Sequence, residues 1–242
     1  MASSGNMARS FARAIDLPEA VATTAMKVLR FENMVTKNGR GTSAATMTAE
    51  DAAVFLVAIA SGAVPSQIVE VTDFLLGMRK VDTFSEGPET GLAAARAFTS
   101  SFYKLPDRPT LRNALIGLLQ DTSSFYEEKL AQDDPTSGGI DPTFDTSSLR
   151  FMLGTDAKKL GGFAILRARV ATNKITTHYF SAWPHRSEFT SKGDMDPLNC
   201  FDCSTGFLSI ASFDGKVFSA AIDSFKEPVS RSRFRLRRLA RP

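Results

Sequence analysis

The chain has 242 residues, of which 43% are hydrophobic, and a formal charge of +3. This suits a soluble globular protein of one large domain or two small ones. Its longest apolar run, Ala52 to Ala60, falls far short of the ~20 residues of a membrane span, and MASSGNMARS at the N-terminus lacks the apolar segment of a secretory signal, so a cytoplasmic location is expected and no membrane partner.

Charge is unevenly spread. The tail from Lys226 to Pro242 carries seven basic residues against one glutamate, which leaves the rest of the chain net acidic. Within that rest, residues 1–48 hold six basic side chains against three acidic ones. Two basic ends around an acidic middle suit a protein that meets phosphate with its ends, although basic tails also solubilise or dock on acidic partners.

In chain order, Met7 to Ala14 predicts a short helix with Phe11 and Ile15 inward and Arg9 and Arg13 outward. Asp16-Leu17-Pro18-Glu19 then restarts a helix, with Asp16 as its cap, Pro18 in the tolerated first turn and Glu19 at the positive end. Val21, Ala25, Val28, Leu29 and Met34 follow as an inward stripe, which leaves Thr23, Thr24, Lys27 and Arg30 on the exposed face. The stretch KNGRGTSAA reads as a loop with glycines around Arg40. Thr48 and Asp51 then open a helix through Ser61 with a short-acid capping box, and Gly62 ends it.

A helix entered through Pro65 or capped by Ser66 carries Ile68, Val71, Phe74, Leu75 and Met78 on one side. Two more are expected over Pro88 to Tyr103 and Arg108 to Ala131, the second with Leu111, Leu115, Leu118, Leu119 and Phe125 inward, so that everything to about residue 131 is helical. QDDPTSGGIDPTFD has linker chemistry. Beyond it, Phe163 to Val170 and Lys174 to Ala182 alternate as paired strands around a turn at Ala171 to Asn173, Ser148 to Leu153 adds an edge strand, and Phe207 to Phe213 another strand. Asp214 to Phe225 fits a helix better than a strand, because Val217, Phe218, Ala221, Ile222 and Phe225 share one helical face. The expected fold is therefore α+β: a helical part over 1–131 with a winged helix-turn-helix, a linker over 132–146, a smaller mixed α/β part with antiparallel strands over 147–226, and a basic tail over 227–242.

Helix, basic loop and capped helix in succession are the plan of a winged helix-turn-helix. On that plan Glu19 to Arg30 is the recognition helix. Thr23, Thr24 and Lys27 face the groove, Arg30 and Lys37 meet flanking phosphates, and Arg40 reaches the minor groove or backbone. A plain helical bundle with a solvated basic loop is the competing reading. The segment from Leu17 to Ala60 resembles the N-terminal part of small proteins in alphaproteobacterial phages and prophages, in which an LP turn, a helix closing on an L-x-x-x-G-L-type signal, GRG-x-SAA and T-x-x-DAA recur. Asn33-Met34 stands here in place of the Gly-Leu, which bears on the turn into the wing. Such segments are similar in layout to MerR-type regulators, and the resemblance implies a DNA-binding transcriptional regulator that acts on double-stranded DNA, with the C-terminal part for oligomerisation or sensing. A palindromic site would favour a homo-oligomer. The alternative is a non-enzymatic interaction protein: a phage structural component, or an inhibitor of a host factor.

His178, His185, Cys200 and Cys203 are the only histidines and cysteines. The CFDC spacing matches a zinc knuckle, but the histidines stand further apart than is typical, so structural zinc is a candidate rather than the expectation, beside a redox pair or ordinary core and surface residues. In the tail, Arg231, Arg233, Arg235, Arg237, Arg238 and Arg241 alternate with Phe234, Leu236 and Leu239. Planar guanidinium forks suit phosphate, and Arg235, Arg237 and Arg238 are candidate DNA contacts, with a solubilising tail or a dimer contact as the alternative. No Walker loop, GxGxxG, HExxH or GxSxG motif occurs, and neither the acid pairs at 127–128 and 133–134 nor Trp183-Pro184-His185-Arg186 has a catalytic partner at a known spacing, so no catalytic residue and no cofactor is expected.

Overall fold

A computed structural model describes residues 3–37, 47–86, 105, 108–120, 149–155, 162–170, 174–181 and 209–225. Its elements run α1 (Ser4–Ala14), α2 (Glu19–Phe31), α3 (Ala49–Ala60), α4 (Ile68–Leu76), β1 (Arg79–Glu86), a helical stretch α5 over 111–120, β2 (Arg150–Thr155), β3 (Gly162–Val170), β4 (Lys174–Ser181), β5 (Ser209–Asp214) and α6 (Gly215–Phe225). The architecture is α+β, with helices leading and a five-stranded antiparallel sheet in the order β1-β4-β3-β2-β5.

The helix α3 is apolar on nearly every side, and only Glu50 and Ile59 of its twelve residues escape full burial. A helix hydrophobic all round belongs inside a core. Around it pack α2, α4 and α6, while Phe11 of α1 meets Phe55 edge to face, ring centroids 5.1 Å apart. One face of the sheet closes the same core, since Phe151, Leu153, Ala164, Leu166, Phe180 and Phe213 join the buried side chains of the helices in one continuous cluster. Register explains the choice. Phe151 lies opposite Leu166 on β3 and Phe213 on β5, and Leu153 lies opposite Ala164, so the period-two alternation of each strand falls in phase across the sheet.

Two helix ends share one device. Asp16 (φ 53) follows α1, and Asn33 (φ 60) follows α2. Behind each, the next N–H reaches back to a carbonyl five residues earlier, Leu17 to Ala12 and Met34 to Leu29, both at 2.9 Å, which is the Schellman ending. At α3 the left-handed residue is Gly62 (φ 58), and the buried Ser61 relays the bond: its hydroxyl donates to the Ala58 carbonyl at 2.8 Å and accepts from the Ala63 N–H at 3.2 Å. Asn33 thus supplies the left-handed turn for which glycine is the usual residue, because its short side chain tolerates that backbone.

Several expectations are corrected. Asp16 does not cap α2, since its left-handed backbone terminates α1, and the N-cap of α2 is Pro18, without a side-chain bond. The buried stripe of α2 is Ala22, Ala25, Met26 and Leu29, and Val21 is 50% exposed. The start of α4 is Gln67, with no side-chain cap from Ser66, and the helix stops at Leu76, so Met78 is buried beyond its end. The chain is not all helical to residue 131: β1 pairs with β4 at one edge of the sheet, with a register shift between Lys80 and Asp82. The first residues of β1 are gripped on their other side as well, Lys80 N–H donating to the Pro109 carbonyl at 2.9 Å. The strand β2 is not an edge, for β3 and β5 flank it.

Other expectations hold: the helix from the capping box to Gly62, the β3–β4 pair, and α6 with Val217, Phe218, Ala221 and Ile222 buried. Leu111, Leu115, Leu118 and Leu119 are buried on α5, which starts at 111 rather than 108, with the Thr110 hydroxyl accepting from the Asn113 N–H at 3.3 Å as its cap. The expected helix over 88–103, the linker over 132–146 and the hairpin turn at 171–173 lie outside the described residues. No helix among the described residues is long and apolar enough to cross a membrane.

Two stability predictions follow from backbone constraints. Asn33→Gly leaves chemical denaturation nearly unchanged, whereas Asn33→Val loses about 1–2 kcal/mol, because a β-branched side chain opposes the left-handed turn. At Gly154 a Cβ would lie 1.9 Å from the Phe163 ring, which covers that glycine from the neighbouring strand. Gly154→Ala therefore costs about 1–3 kcal/mol of overpacking, and Phe163→Leu in the same chain recovers part of it in urea melts.

Candidate functional site

The candidate site is the outer surface of α2 and the chain that leaves it. Because the small residues Ala22 and Ala25 face the core with Met26 and Leu29, the opposite side of the helix carries Val21, Thr24, Lys27 and Phe31, all exposed. Phe31, at the last turn, is 78% exposed. A four-residue turn, 15–18, separates α1 from α2, and the two helices pack together. Arg9 of α1 also faces Glu19 at the start of α2, with N and O atoms 3.7 Å apart. Both side chains are at least half exposed, so this pair contributes at most about 1 kcal/mol.

The sequence-predicted contacts are placed unevenly on this surface. Thr24 and Lys27 are exposed on α2, the threonine hydroxyl donating to the Ala20 carbonyl at 2.8 Å. Thr23 is only half exposed. Arg30 is turned away from the expected phosphate position: it is partly buried, its Nη1 donates to Ser4 Oγ of α1 at 3.2 Å, and its Nε is buried without a hydrogen-bond partner. Lys37 bends back to α2, where Nζ donates to the Phe31 carbonyl and lies 5.8 Å from the centroid of the Phe31 ring. Arg40, Arg235, Arg237 and Arg238 lie outside the described residues, as do residues 38–46, where the wing is expected.

Between α2 and α3 stands Asp51, the one charged side chain fully buried among the described residues, at 3% exposure. Its carboxylate serves two segments. At the start of α3, Oδ2 accepts from Thr48 N–H at 2.8 Å and from the Thr48 hydroxyl at 3.0 Å, while the Asp51 N–H donates to that hydroxyl at 3.2 Å, completing a capping box. On the chain leaving α2, Oδ1 accepts from Thr36 N–H at 2.7 Å, and the Thr36 hydroxyl lies 3.1 and 3.0 Å from the two oxygens. A buried carboxylate is tolerable only with such partners, and charge-assisted bonds of this kind are strong. T-x-x-D marks the capping box in the sequence. Neither the Thr36–Asp51 link nor the Arg30–Ser4 link has a local signature.

Of the candidate zinc set only His178 is described, and it does not stand open to a metal on its Nδ1 side. It is 3% exposed on β4, and Nδ1 is 2.9 Å from Thr83 Oγ1, its register partner on β1. His185, Cys200 and Cys203 lie outside the described residues. Among the described residues no cluster of three or more potential metal ligands occurs.

Comparison of the chain with protein-family models, with curated proteins and with solved structures finds no match.

Asp51→Ala is expected to destabilise the protein by on the order of 3 kcal/mol in urea unfolding, since it removes a capping box and leaves two backbone N–H groups without their acceptor. Asp51→Asn retains an acceptor oxygen and costs less.

Proposed function

We propose that the chain is a DNA-binding regulator of the phage-associated type, which presents the outer face of α2 to a duplex groove. The observation that carries this reading is the open face itself: α2 buries one stripe against the core and leaves Val21, Thr24, Lys27 and Phe31 exposed, after a short turn that joins it to α1. Two packed helices with a three- to four-residue connection form the supersecondary unit of helix-turn-helix proteins. A helix is about 10–12 Å across with its side chains, which suits a major groove about 12 Å wide.

The side chains divide by role. Val21 and the Thr24 methyl suit thymine methyl groups, and Lys27 and Lys37 suit phosphate oxygens. Arg30 acts by holding α1 to α2 rather than by meeting DNA. Arg40 and the tail arginines Arg235, Arg237 and Arg238 add phosphate contacts on this reading, and recognition of a palindromic site calls for a homo-oligomer. The phage-associated type is the expectation from the resemblance of residues 17–60 to small phage and prophage proteins, whose layout is similar to that of MerR-type regulators.

The exposed Phe31 and Val21 favour a second reading, in which the α2 face docks on a host or phage protein, since aromatic anchors dominate protein interfaces.

Fluorescence anisotropy with labelled duplex DNA over a salt series decides between them. The regulator reading expects binding that weakens steeply with salt, and Lys27→Ala is expected to reduce the slope of log K against log salt by about 0.9. Absence of binding to genomic duplex fragments at low salt, together with recovery of a stoichiometric protein partner that Phe31→Ala abolishes, would reverse the assignment.

A further inference from the structure

We propose that Asp51 is a positioning residue for the α2 surface, acting through Thr36 to set Lys37 at the C-terminal end of that helix. The inference rests on the reading of α2 as a nucleic-acid-binding surface, and it names the residue that organises that surface without touching the ligand.

The helix start alone does not account for what the carboxylate does. A capping box needs Thr48 and one acceptor oxygen on Asp51. Asp51 is buried deeper than a cap requires, and its other oxygen is occupied by Thr36, fifteen residues earlier, through the shortest bond of the group, 2.7 Å from the backbone N–H. The Thr36 hydroxyl adds two further contacts at 3.1 and 3.0 Å. Backbone and side chain of Thr36 are therefore both held by one anchored group, and the residue that follows is Lys37.

Where Lys37 goes follows from that anchor. Its ammonium reaches the carbonyl of Phe31, the last residue of α2, and lies over the Phe31 ring. The C-terminal end of a helix carries partial negative charge and attracts a cation, and an ammonium that gives one proton to a carbonyl keeps two for other acceptors. Lys27 stands four residues before Phe31, hence on the same side of the helix. Asp51 thus fixes the second of two exposed lysines beside Phe31. The chemistry recognised is the phosphodiester backbone of a duplex.

The test is a double-mutant cycle in the full-length protein, with Thr36→Val, which keeps the backbone bond and removes the hydroxyl contacts, and Lys37→Gln. Duplex affinity is read by anisotropy over a salt series, and folding by thermal melts. In the wild-type background Lys37→Gln is expected to weaken binding several-fold and to reduce the salt slope by about 0.9. In the Thr36→Val background it costs nothing further, because the ammonium is no longer placed. Thr36→Ser, which keeps the hydroxyl, restores the Lys37 effect. Equal losses on Lys37→Gln in both backgrounds overturn the proposal, as does a Thr36→Ser protein that behaves like Thr36→Val.

A separate measurement keeps the positioning testable if duplex binding is absent altogether. Trypsin cleavage after Lys37 in the native protein is expected to accelerate about tenfold in Thr36→Val and in Asp51→Asn, since a released lysine enters the protease more often. An unchanged rate at that bond, with thermal melts intact, refutes the anchor itself. Failure of DNA binding with accelerated cleavage refutes the DNA reading and leaves the anchor standing.

Discussion

The burial of α3 on nearly all sides is the constraint from which the rest of the arrangement follows. Ala52, Ala53, Val54, Phe55, Leu56, Val57 and Ala58 offer no polar stripe to solvent, so every direction around the helix has to be covered by another element. The helices α2, α4 and α6 do so, with Phe11 of α1 against Phe55, and the sheet completes the core through its apolar face. A helix recruited as one wall of such an enclosure contributes one stripe only. That is why α2, with alanines facing inward, has an outer side available for other work, and why the only charge taken fully into this core among the described residues, Asp51, sits at the very start of α3, where backbone donors meet it.

Packing around a central helix also requires the chain to change direction sharply after each short segment. The left-handed residues Asp16, Asn33 and Gly62 do this at three successive helix ends, and only one of them is glycine. The cost of the left-handed backbone for Asp and Asn, about 1–2 kcal/mol, is offset by the carbonyls that the reversed chain satisfies and by the apolar residue that follows each turn. Leu17 and Met34, the residues after Asp16 and Asn33, are partly buried against the core. At α3 the relay through Ser61 takes the place of the long backbone bond, so a hydroxyl finishes what the glycine begins.

Much of this was legible in the residues, and what was not has physical causes. The T-x-x-D box, Gly62, the alternation of β3 and β4, and the helical face of α6 are local patterns whose local preference agrees with the tertiary structure. The phase of α2 is hard to read because alanine is at home on either side of a helix: Val21 fits the inward stripe by sequence but is exposed, while Ala22 and Met26 take its place and Val28 stays partly buried against the core. The strand β1 is not legible in the sequence because RKVDTFSE alternates poorly, and its form depends on β4, nearly a hundred residues away. Of the candidate site, the sequence places Thr24 and Lys27 on the open face, as the structure does, whereas Arg30 is drawn back to Ser4 of α1 and Lys37, though exposed, bends onto the Phe31 carbonyl, contacts that charge counting does not reveal.

The packing of α1 against α6 joins the two extremes of the described chain. During synthesis α1 leaves the ribosome with Met7 and Phe11 uncovered, and one wall of their enclosure arrives only with residues 215–225, after the five described strands have been made. A chain that stops short of α6 therefore retains a sticky N-terminal helix with an unfinished seat. Such a product is marked for aggregation or degradation by the same apolar surface that the finished protein hides, so integrity of the far end is checked at the near one.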